Sequence, residues 1–234
     1  RDFCLSRGLG DVYKRQIPDL SYSSGKVLRH ISGETLMSFV IFDTEFTADK
    51  GLLEAGFDGW KNREIVQIAA IKVTSDLQVT DELNLYLKPE IHPYLSDYFV
   101  KLTGLTDSLI DEKGVAFPDG YRQFKLFAGN LVCYSHDWGN SKIADGEIMA
   151  EMLAHYKIYD NYPPCYKNIA PWFKARYEEE KIDIKSQASG EIAQLLGQEK
   201  ALTSLGLGKH NALYDVYSIL CGLRILGFSD DGTV

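Results

Sequence analysis

Asp43 and Glu45 follow an apolar run, residues 39–42, with a single residue between them. Residues that are two positions apart on a β-strand project from the same face, so a strand here would present both carboxylates on one side of a sheet. Like charges held this close repel each other unless a cation joins them. The pair therefore predicts a metal site, although an aspartate at the end of a buried strand can also be a simple turn residue.

Asp145 falls on the apolar face of a predicted helix. It is followed at offsets of three, four, seven and eleven by Ile148, Met149, Met152 and Tyr156. These offsets share one helix face, which places the Asp145 carboxylate among side chains that should be buried. A buried carboxylate without a partner is costly, so a cation is one explanation. An N-cap role at the start of the helix is the other explanation.

Asp215 repeats this pattern on a later helix. The small or apolar residues at offsets of four, seven and eleven are Ile219, Gly222 and Leu226. A second carboxylate is thereby directed toward the interior, where the alternative to a cation is a bond from a core tyrosine or arginine. Two helices and one strand that each direct acidic side chains inward predict a site for a divalent pair, Mg²⁺ or Mn²⁺, because these hard cations prefer oxygen ligands.

His210 stands five residues before Asp215, at the end of a glycine-containing segment, residues 206–209. Five residues along one helix would turn the two side chains apart, so His210 is predicted to lie on the loop before the helix. An imidazole that is partly protonated near neutral pH suits a general base for an attacking water. The alternatives are a helix-start histidine without a function, and His136 as the base, since His136 follows the fourth predicted strand.

The elements that position these residues follow from the periodicity of the apolar side chains. Strands are predicted over residues 39–43, 63–73, 83–89 and 131–135, the first three as an antiparallel meander. Ser96 is predicted to cap a helix that ends near Gly104, and Pro118 to lie in the first turn of another. Further helices are predicted over residues 145–156, 168–180, 191–196 and 211–226. This order predicts an α/β fold with a mixed five-stranded sheet flanked by helices.

The motif Asp43-Thr44-Glu45, an aspartate on the helix after the fourth strand, and His210 five residues before Asp215 resemble the DEDDh (DnaQ-like) 3′-to-5′ exonucleases. Residues 85–106 and 208–219 are similar to the exonucleases that trim histone-messenger stem-loops and short interfering RNAs, and to their bacterial relatives. The resemblance covers residues 39–227 and implies the ribonuclease H-like architecture.

The resemblance also implies a role for each residue of the motifs. Four acidic residues would bind two divalent cations, with Glu45 also counted as catalytic and His210 as the general base: Asp43, Glu45, Asp145 and Asp215. Phe46 and Thr47 would contact the terminal nucleotide, and Leu105 would wedge against a base, with ordinary packing as the alternative for each.

One departure from the family pattern concerns the third acidic ligand. The family usually has an aspartate soon after a Trp-Gly pair, whereas Trp138-Gly139 precedes Asp145 by the longer segment 140–144. Asp137 is therefore an alternative ligand. Asp145 is preferred, because it alone is predicted to lie on an inward helix face.

The predicted function is 3′-to-5′ exonucleolytic hydrolysis of single-stranded nucleic acid, RNA favoured over DNA, by a two-metal mechanism that releases nucleoside 5′-monophosphates. A DNA-directed, proofreading-like exonuclease is the first alternative. A non-catalytic nucleic-acid-binding module is a second, which predicts loss of the acidic set, and a metal-stabilised structural domain is a third. No protein partner can be inferred.

Composition sets further limits. The net charge of −8 disfavours a broad, non-specific phosphate binder more than a metal-dependent hydrolase, whose cations supply the positive field. With 45% hydrophobic residues the chain can form a packed core, and no apolar run approaches the roughly 18 residues of a membrane span. The four cysteines, Cys4, Cys133, Cys165 and Cys221, form no C-x-x-C pair, so a reducing, cytoplasmic setting is expected.

The chain is predicted to divide into one enzymatic domain and its flanks. Residues 1–16 are basic and resemble a translated sequencing adapter, so they are expected to be a non-native tail, with a genuine nucleic-acid-binding arm as the alternative. Residues 17–38 form a lead-in, residues 39–228 the exonuclease domain, and residues 229–234 a tail where the chain is expected to be truncated.

Overall fold

A mixed five-stranded sheet in the order β3-β2-β1-β4-β5 forms the centre of the computed structural model, which describes residues 38–49, 63–137, 145–184, 188–204 and 206–229. The predicted tail 1–16, nearly all of the lead-in 17–38, Trp138-Gly139 and residues 230–234 lie outside these ranges. The first three strands form the antiparallel meander, and the last two run parallel to β1 and to each other. Their bounds are β1 Ser38–Phe46, β2 Ile65–Thr74, β3 Val79–Tyr86, β4 Val132–Ser135 and β5 Cys165–Asn168. The predicted fold class is confirmed.

The helices of the described ranges cover both faces of this sheet. The two predicted ends of the first are confirmed: Ser96 accepts the N–H of Phe99 at 3.1 Å, and Gly104 ends the helix with φ 76°. Within these ranges no helix combines the length and apolarity needed to cross a membrane. The helices are α1 Asp97–Thr103, α2 Asp107–Lys113, α3 Phe117–Ala128, α4 Asp145–His155, α5 Ala170–Glu179, α6 Ile192–Leu195, α7 Glu199–Thr203 and α8 Ala212–Ile225, with a 3-10 turn over Ser189–Glu191.

Strand β1 is buried on both faces, and its alternation places the acidic residues. Phe39 and Ile41 pack in the cluster that contains the side chains of α8. Val40 and Phe42 pack in the opposite cluster, with α3 and α4. Successive residues of a strand point to opposite faces of the sheet. Asp43 and Glu45 therefore lie on the α8 side, like Phe39 and Ile41, and Thr44 lies on the α4 side. The expectation that Asp43 and Glu45 share one face is therefore confirmed.

The predicted bounds differ most from the observed ones at three elements. Strand β1 continues to Phe46, three residues beyond the predicted 39–43. Strand β3 begins at Val79 and ends at Tyr86, earlier at both ends than the predicted 83–89. Asn168, predicted as the first residue of a helix over 168–180, is instead the last residue of the edge strand β5, because residues 165–168 pair with β4 from Val132↔Cys165 to Ser135↔Asn168. The helix that follows begins only at Ala170. Pairing with a strand about thirty residues earlier in the sequence has overridden the local preference.

Candidate metal centre

Three carboxylates converge between β1 and α8. Oxygen atoms of Asp43, Glu45 and Asp215 all lie within 4.8 Å of one another. Asp43 is 6% and Asp215 4% exposed, and Glu45 is half-buried. Burial, and then the neighbouring negative charges, raise the pKa of Asp43 and of Glu45 well above their ordinary values. Burial likewise raises the pKa of Asp215 to about 7. These groups are destabilised as free anions, so a proton or a cation must compensate them.

Asp145 adjoins this group from the other face of the sheet. Its Oδ1 accepts the N–H of Thr44 at 3.0 Å and the Thr44 hydroxyl at 2.5 Å. Strand β4 ends at Ser135, one residue after the pair Ile41↔Tyr134, while β1 continues to Phe46. The Asp145 carboxylate thus binds an amide that β4 is too short to reach, and burial raises its pKa to about 6.

The burial predicted for the two helical aspartates is confirmed, since Asp145 is 9% exposed and Asp215 4% exposed. The oxygens of Asp145 are outside the 4.8 Å group, but its charge is the largest electrostatic influence that raises the pKa of Asp43. Its assignment as the third acidic ligand therefore stays a prediction that proximity to Asp43 supports.

Asp137, the alternative ligand, is held by the edge strand. Its backbone N–H donates to Oδ1 of Asn168 at 3.0 Å, and the Asn168 Nδ2 donates to the Asp137 carbonyl at 2.6 Å. Burial raises the pKa of its carboxyl to about 6, with Asp145 and Glu147 as the charges nearby. Asp137 is thus a neighbour of Asp145, whereas Asp145 is itself a neighbour of Asp43. Asp145, whose charge raises the pKa of Asp43, is therefore favoured over Asp137 as the third acidic ligand.

The Asp215 carboxylate fits a divalent cation by its own contacts. Its Oδ2 lies 3.3 Å from the hydroxyl of Ser189, which also lies 3.4 Å from Oδ1 of Asp43. The backbone of His210 lies close enough to the same carboxylate to lower its pKa. Its Oδ1, however, is buried and accepts no hydrogen bond from any residue that the structure describes. An unsatisfied buried oxygen among carboxylates that offer only oxygen atoms suits a hard cation such as Mg²⁺ or Mn²⁺.

Gly190 allows the 3-10 turn to approach Asp215. A Cβ at this position would stand 2.3 Å from Oδ1 of Asp215, which is closer than any real contact. The turn is fastened to α8, because Ser218 donates its hydroxyl to the Ser189 carbonyl at 2.7 Å and accepts the N–H of Ala193 at 3.0 Å. The wall of the candidate site therefore requires glycine here.

Gly190→Ala is expected to push the Asp215 carboxylate out of place and weaken Mn²⁺ binding by about tenfold, or 1.4 kcal/mol. Isothermal titration of Mn²⁺ into the purified variant measures this change. Gly208→Ala is the matched control, since a Cβ at Gly208 would meet nothing within 4 Å. An unchanged Mn²⁺ affinity in folded Gly190→Ala would show that the turn does not shape the site.

His210 lies on the loop before α8, as predicted, with a left-handed backbone at φ 62°. The side chain is half-buried, and the His210 backbone, which lowers the pKa of Asp215, lies beside the carboxylates. Burial lowers the pKa of His210, a tendency that Glu191 opposes and Lys209 reinforces. A lowered pKa keeps the imidazole neutral near pH 7, so it is able to accept a proton.

His136, the alternative base, is a core residue. It is 7% exposed, and its ring packs edge-on against Phe173 with 5.3 Å between ring centroids. Burial lowers the pKa of His136 to about 4. Packing against Phe173 accounts for this histidine, so His210 is the better candidate.

The three predicted substrate contacts differ in accessibility. Phe46 is half-buried, and the Arg63 guanidinium lies 5.3 Å from its ring centroid. Thr47 is 8% exposed. Leu105 is 2% exposed and packs in a cluster with Val66, Leu95, Phe99 and Ile110, which corresponds to the packing alternative. A base could reach Leu105 only by displacing that cluster, so the burial favours the packing alternative, and the wedge role stays a prediction.

Thr47 is held in place by two hydrogen bonds to Glu64, whose side chain is buried. Its hydroxyl accepts the N–H of Glu64 at 3.0 Å, and its own N–H donates to the Glu64 carbonyl at 2.8 Å. The Glu64 carboxylate in turn accepts three backbone N–H groups, at 2.6, 2.9 and 2.7 Å, from Glu90, Ile91 and His92. The backbone after Glu45 is thereby held rigidly next to the carboxylate group.

Three residues of this region were missed in the sequence. Ser189 and Gly190 are ordinary loop residues by type, and nothing local marks them. Gln67 of β2 contacts the start of α8, and it carried a detectable signal, since it is the single polar residue in the apolar run 65–71.

Comparison with known proteins places this geometry in a family context. A family model described as exonuclease, of the RNase T type, matches residues 40–220. The 3′-5′ exoribonuclease 1 of Mus musculus is 23% identical over 197 residues, 79% of this chain and 55% of that protein. The chain thus spans about half the length of the curated relatives it matches.

Solved structures share the fold at low sequence identity. The nuclease domain of 3′hExo, a DEDDh family member solved bound to rAMP, superposes with a TM-score of 0.60 at 18% identity, covering 84% of this chain and 94% of that one. Exonuclease I of E. coli, solved with a dA16 oligonucleotide, superposes with a TM-score of 0.59 at 17% identity, covering 83% and 41%. These matches confirm the ribonuclease H-like architecture that the sequence resemblance implied.

Proposed function

Because this chain belongs to the RNase T exonuclease family, we propose that it is a metal-dependent 3′-to-5′ exonuclease acting on single-stranded nucleic acid, with RNA favoured over DNA. The observation that supports a catalytic site most directly is the group of three carboxylates, Asp43, Glu45 and Asp215, with oxygens within 4.8 Å of one another. All the acidic positions and His210 are present together. A binding module that had lost catalysis would have no need to keep them.

The choice between RNA and DNA rests on the relatives. The mouse relative is named an exoribonuclease, and the 3′hExo nuclease domain was solved with rAMP. E. coli exonuclease I, which superposes about equally well, was solved with a DNA oligonucleotide. RNA is the first candidate because the curated sequence relatives are exoribonucleases, and single-stranded DNA is the second.

The chemistry assigns one task to each residue. Asp43, Glu45 and Asp215, with Asp145 beside them, would hold two divalent cations, Mg²⁺ or Mn²⁺. When bound, these ions supply positive charge that makes a water more acidic and stabilises the leaving oxygen. His210, neutral because burial lowers its pKa, accepts the proton of the attacking water. A new P–O bond forms, the bond to the 3′ oxygen breaks, and that oxygen takes a proton from solvent, to which His210 returns the proton it accepted. The product is a nucleoside 5′-monophosphate.

Substrate contacts are proposed at the end of β1. Phe46 and Thr47 directly follow Glu45, and the rigid hydrogen bonds between Thr47 and Glu64 hold this backbone in place. The terminal nucleotide would rest here, with its last phosphodiester at the carboxylates. Positioning of this kind is a large part of catalysis, because the reacting atoms must be held close together.

A cytoplasmic location is part of the same proposal. Cys133, Cys165 and Cys221 are free thiols, which is consistent with a reducing compartment. A role in trimming RNA ends would follow from that location and from the named relatives.

Degradation of end-labelled single strands tests the proposed function. With Mg²⁺, a 3′-labelled RNA should release its label at once as a mononucleotide, whereas a 5′-labelled RNA should shorten gradually. EDTA should stop both reactions, and matched DNA strands should be degraded more slowly. Release of a 5′ label first, or turnover that persists in EDTA, would contradict the proposal.

The same assay distinguishes the alternatives. Faster turnover of DNA than of RNA would indicate a DNA-directed, proofreading-like exonuclease. Binding of the strands without hydrolysis would indicate a non-catalytic module. A Mg²⁺-dependent melting temperature without hydrolysis would indicate a structural metal domain.

A further inference from the structure

Gln67 of β2 connects the sheet to the loop that carries His210. Its side chain is completely buried, with 0% exposure. The Oε1 atom accepts the N–H of Ala212 at 3.0 Å. The Nε2 atom donates to Oδ1 of Asn211 at 3.3 Å and to Oδ1 of Asn84 at 2.9 Å. A side chain on the second strand is therefore bonded to both residues that follow His210.

These bonds complete the start of α8. The first amides of a helix have no partner within the helix, and side chains usually satisfy them. Asn211 is the N-cap and accepts the N–H of Leu213 at 3.2 Å. The N–H of Ala212 is left over, and Gln67 accepts it from 145 positions away in the sequence. Gln67 acts as a second cap, one that also fixes the helix start to the sheet.

The backbone of His210 requires such support. Its φ of 62° lies in the left-handed region, which is unfavourable for a residue with a Cβ and persists only where the surroundings impose it. On its C-terminal side, Asn211 and Ala212 are both held by Gln67.

The same glutamine is also aligned with the acidic strand. Gln67 is the cross-strand partner of Glu45 in the β1–β2 pairing. Gln67 therefore connects two parts of the site. It pairs with Glu45 of β1, and it hydrogen bonds to Asn211 and Ala212, which follow His210.

We propose that Gln67 is a positioning residue that sets His210 against the carboxylate group. The inference rests on the proposed function, in which His210 accepts the proton of the attacking water. Gln67 itself contacts neither the substrate nor the cations. Its loss should therefore lower kcat, while KM and the affinity for divalent cations stay the same.

Gln67→Met removes both polar groups at similar volume. The expected result is a fall in kcat of about 10- to 100-fold, because small displacements of a catalytic group have effects of that size. KM for a single-stranded RNA and the Mn²⁺ affinity should stay within about twofold. Val73→Ala is the control for lost stability, since Val73 is also buried in β2 but makes only apolar contacts, and its kcat should match the wild type.

A spectroscopic measurement separates this inference from the proposed function. The Hε1–Cε1 NMR signal of His210 can be assigned by its loss in His210→Asn. In Gln67→Met this signal should shift or broaden, while the signals of His92 and His155 stay in place. The measurement needs no turnover. An inactive wild type would therefore contradict the proposed function, whereas the NMR test of Gln67 could still be carried out.

Asn211→Ser and Asn84→Ala complete the set. Serine caps a helix as well as asparagine but is too short to reach Gln67, so Asn211→Ser folds and should lower kcat by about three- to tenfold. Asn84→Ala removes the partner of Gln67 that lies away from the helix, and kcat should not change.

Three results would each overturn the inference: an unchanged His210 signal in Gln67→Met, equal kcat losses in Gln67→Met and Val73→Ala, or full activity in Asn211→Ser.

Discussion

Asp215→Asn is expected to lower kcat for 3′-end hydrolysis by about a thousandfold or more. The substitution keeps the shape of the side chain but removes one of the three carboxylates whose oxygens lie within 4.8 Å. An amide nitrogen cannot bind a cation, so the substitution removes both charge and a ligand atom. Single-turnover degradation of a labelled RNA in Mg²⁺ measures the loss.

The stability of this variant should change in the opposite direction. Burial and neighbouring charges raise the pKa of the Asp215 carboxyl to about 7, so removal of the anion relieves an unfavourable interaction. In EDTA, the melting temperature of Asp215→Asn should equal or exceed that of the wild type. The increase that Mg²⁺ produces in the wild type should be reduced or lost, because ligand binding stabilises only the form that binds it.

Glu147→Gln is the matched control, since Glu147 is an exposed carboxylate on the first turn of α4. Its kcat and its Mg²⁺-dependent melting should match the wild type. If Asp215→Asn degrades RNA at nearly the wild-type rate, or if it melts earlier than the wild type in EDTA, then Asp215 is a structural residue and not a ligand.

His210→Asn is expected to lower kcat by about a hundred- to ten-thousandfold, the usual contribution of a general base. Asparagine is chosen because it tolerates the left-handed backbone better than alanine does, and His210 has φ 62°. The variant therefore removes the imidazole with little added strain. The Mn²⁺ affinity should be unchanged, because the carboxylates are untouched.

A comparison of three histidine variants makes the test specific. His210→Ala should lose as much activity as His210→Asn but melt at a lower temperature, because alanine adds backbone strain. His92→Ala changes a histidine whose backbone N–H, not its ring, contacts Glu64, and its kcat should not change. If His210→Asn degrades RNA at the wild-type rate, then His210 is not the general base and another group accepts the proton of the attacking water.

The carboxylates could be predicted because each one is marked by local periodicity. Asp43 and Glu45 are separated by one strand residue, and Asp145 and Asp215 are in phase with the apolar face of a helix. The burial of Asp145 and Asp215 in the structure confirms that phase. A charged residue at a position that should be apolar is the most informative signal that a single sequence contains.

Short elements were harder to predict, for a different reason. Strand β5, Cys165–Asn168, has only four residues, and its identity comes from its pairing with β4. Helix α2, Asp107–Lys113, has a single buried residue, Ile110, so it has no apolar period to detect. In such segments tertiary contacts decide the conformation, and the local sequence carries little of that information.

The residues that support the site depend on contacts between distant parts of the chain. Ser189 lies 146 positions from Asp43, and Gln67 lies 145 positions from Ala212. Their types are compatible with many environments, and only the folded arrangement brings them to the carboxylates. Gln67 nevertheless interrupts an apolar strand, and a polar residue at such a position is a signal in the sequence, as a buried aspartate is.

The order of the elements along the chain also determines when the activity can arise during synthesis. The β1–β2–β3 meander precedes every other described element, whereas Asp215 and the His210 loop belong to α8, which follows them all. Proteins emerge from the ribosome N-terminal end first, so the meander is available for folding while α8 has yet to be translated. Until then, β1 carries two of the three clustered carboxylates, and Asp215 and the proposed base His210 are missing. A nascent chain whose α8 has not yet emerged would therefore lack the proposed nuclease activity.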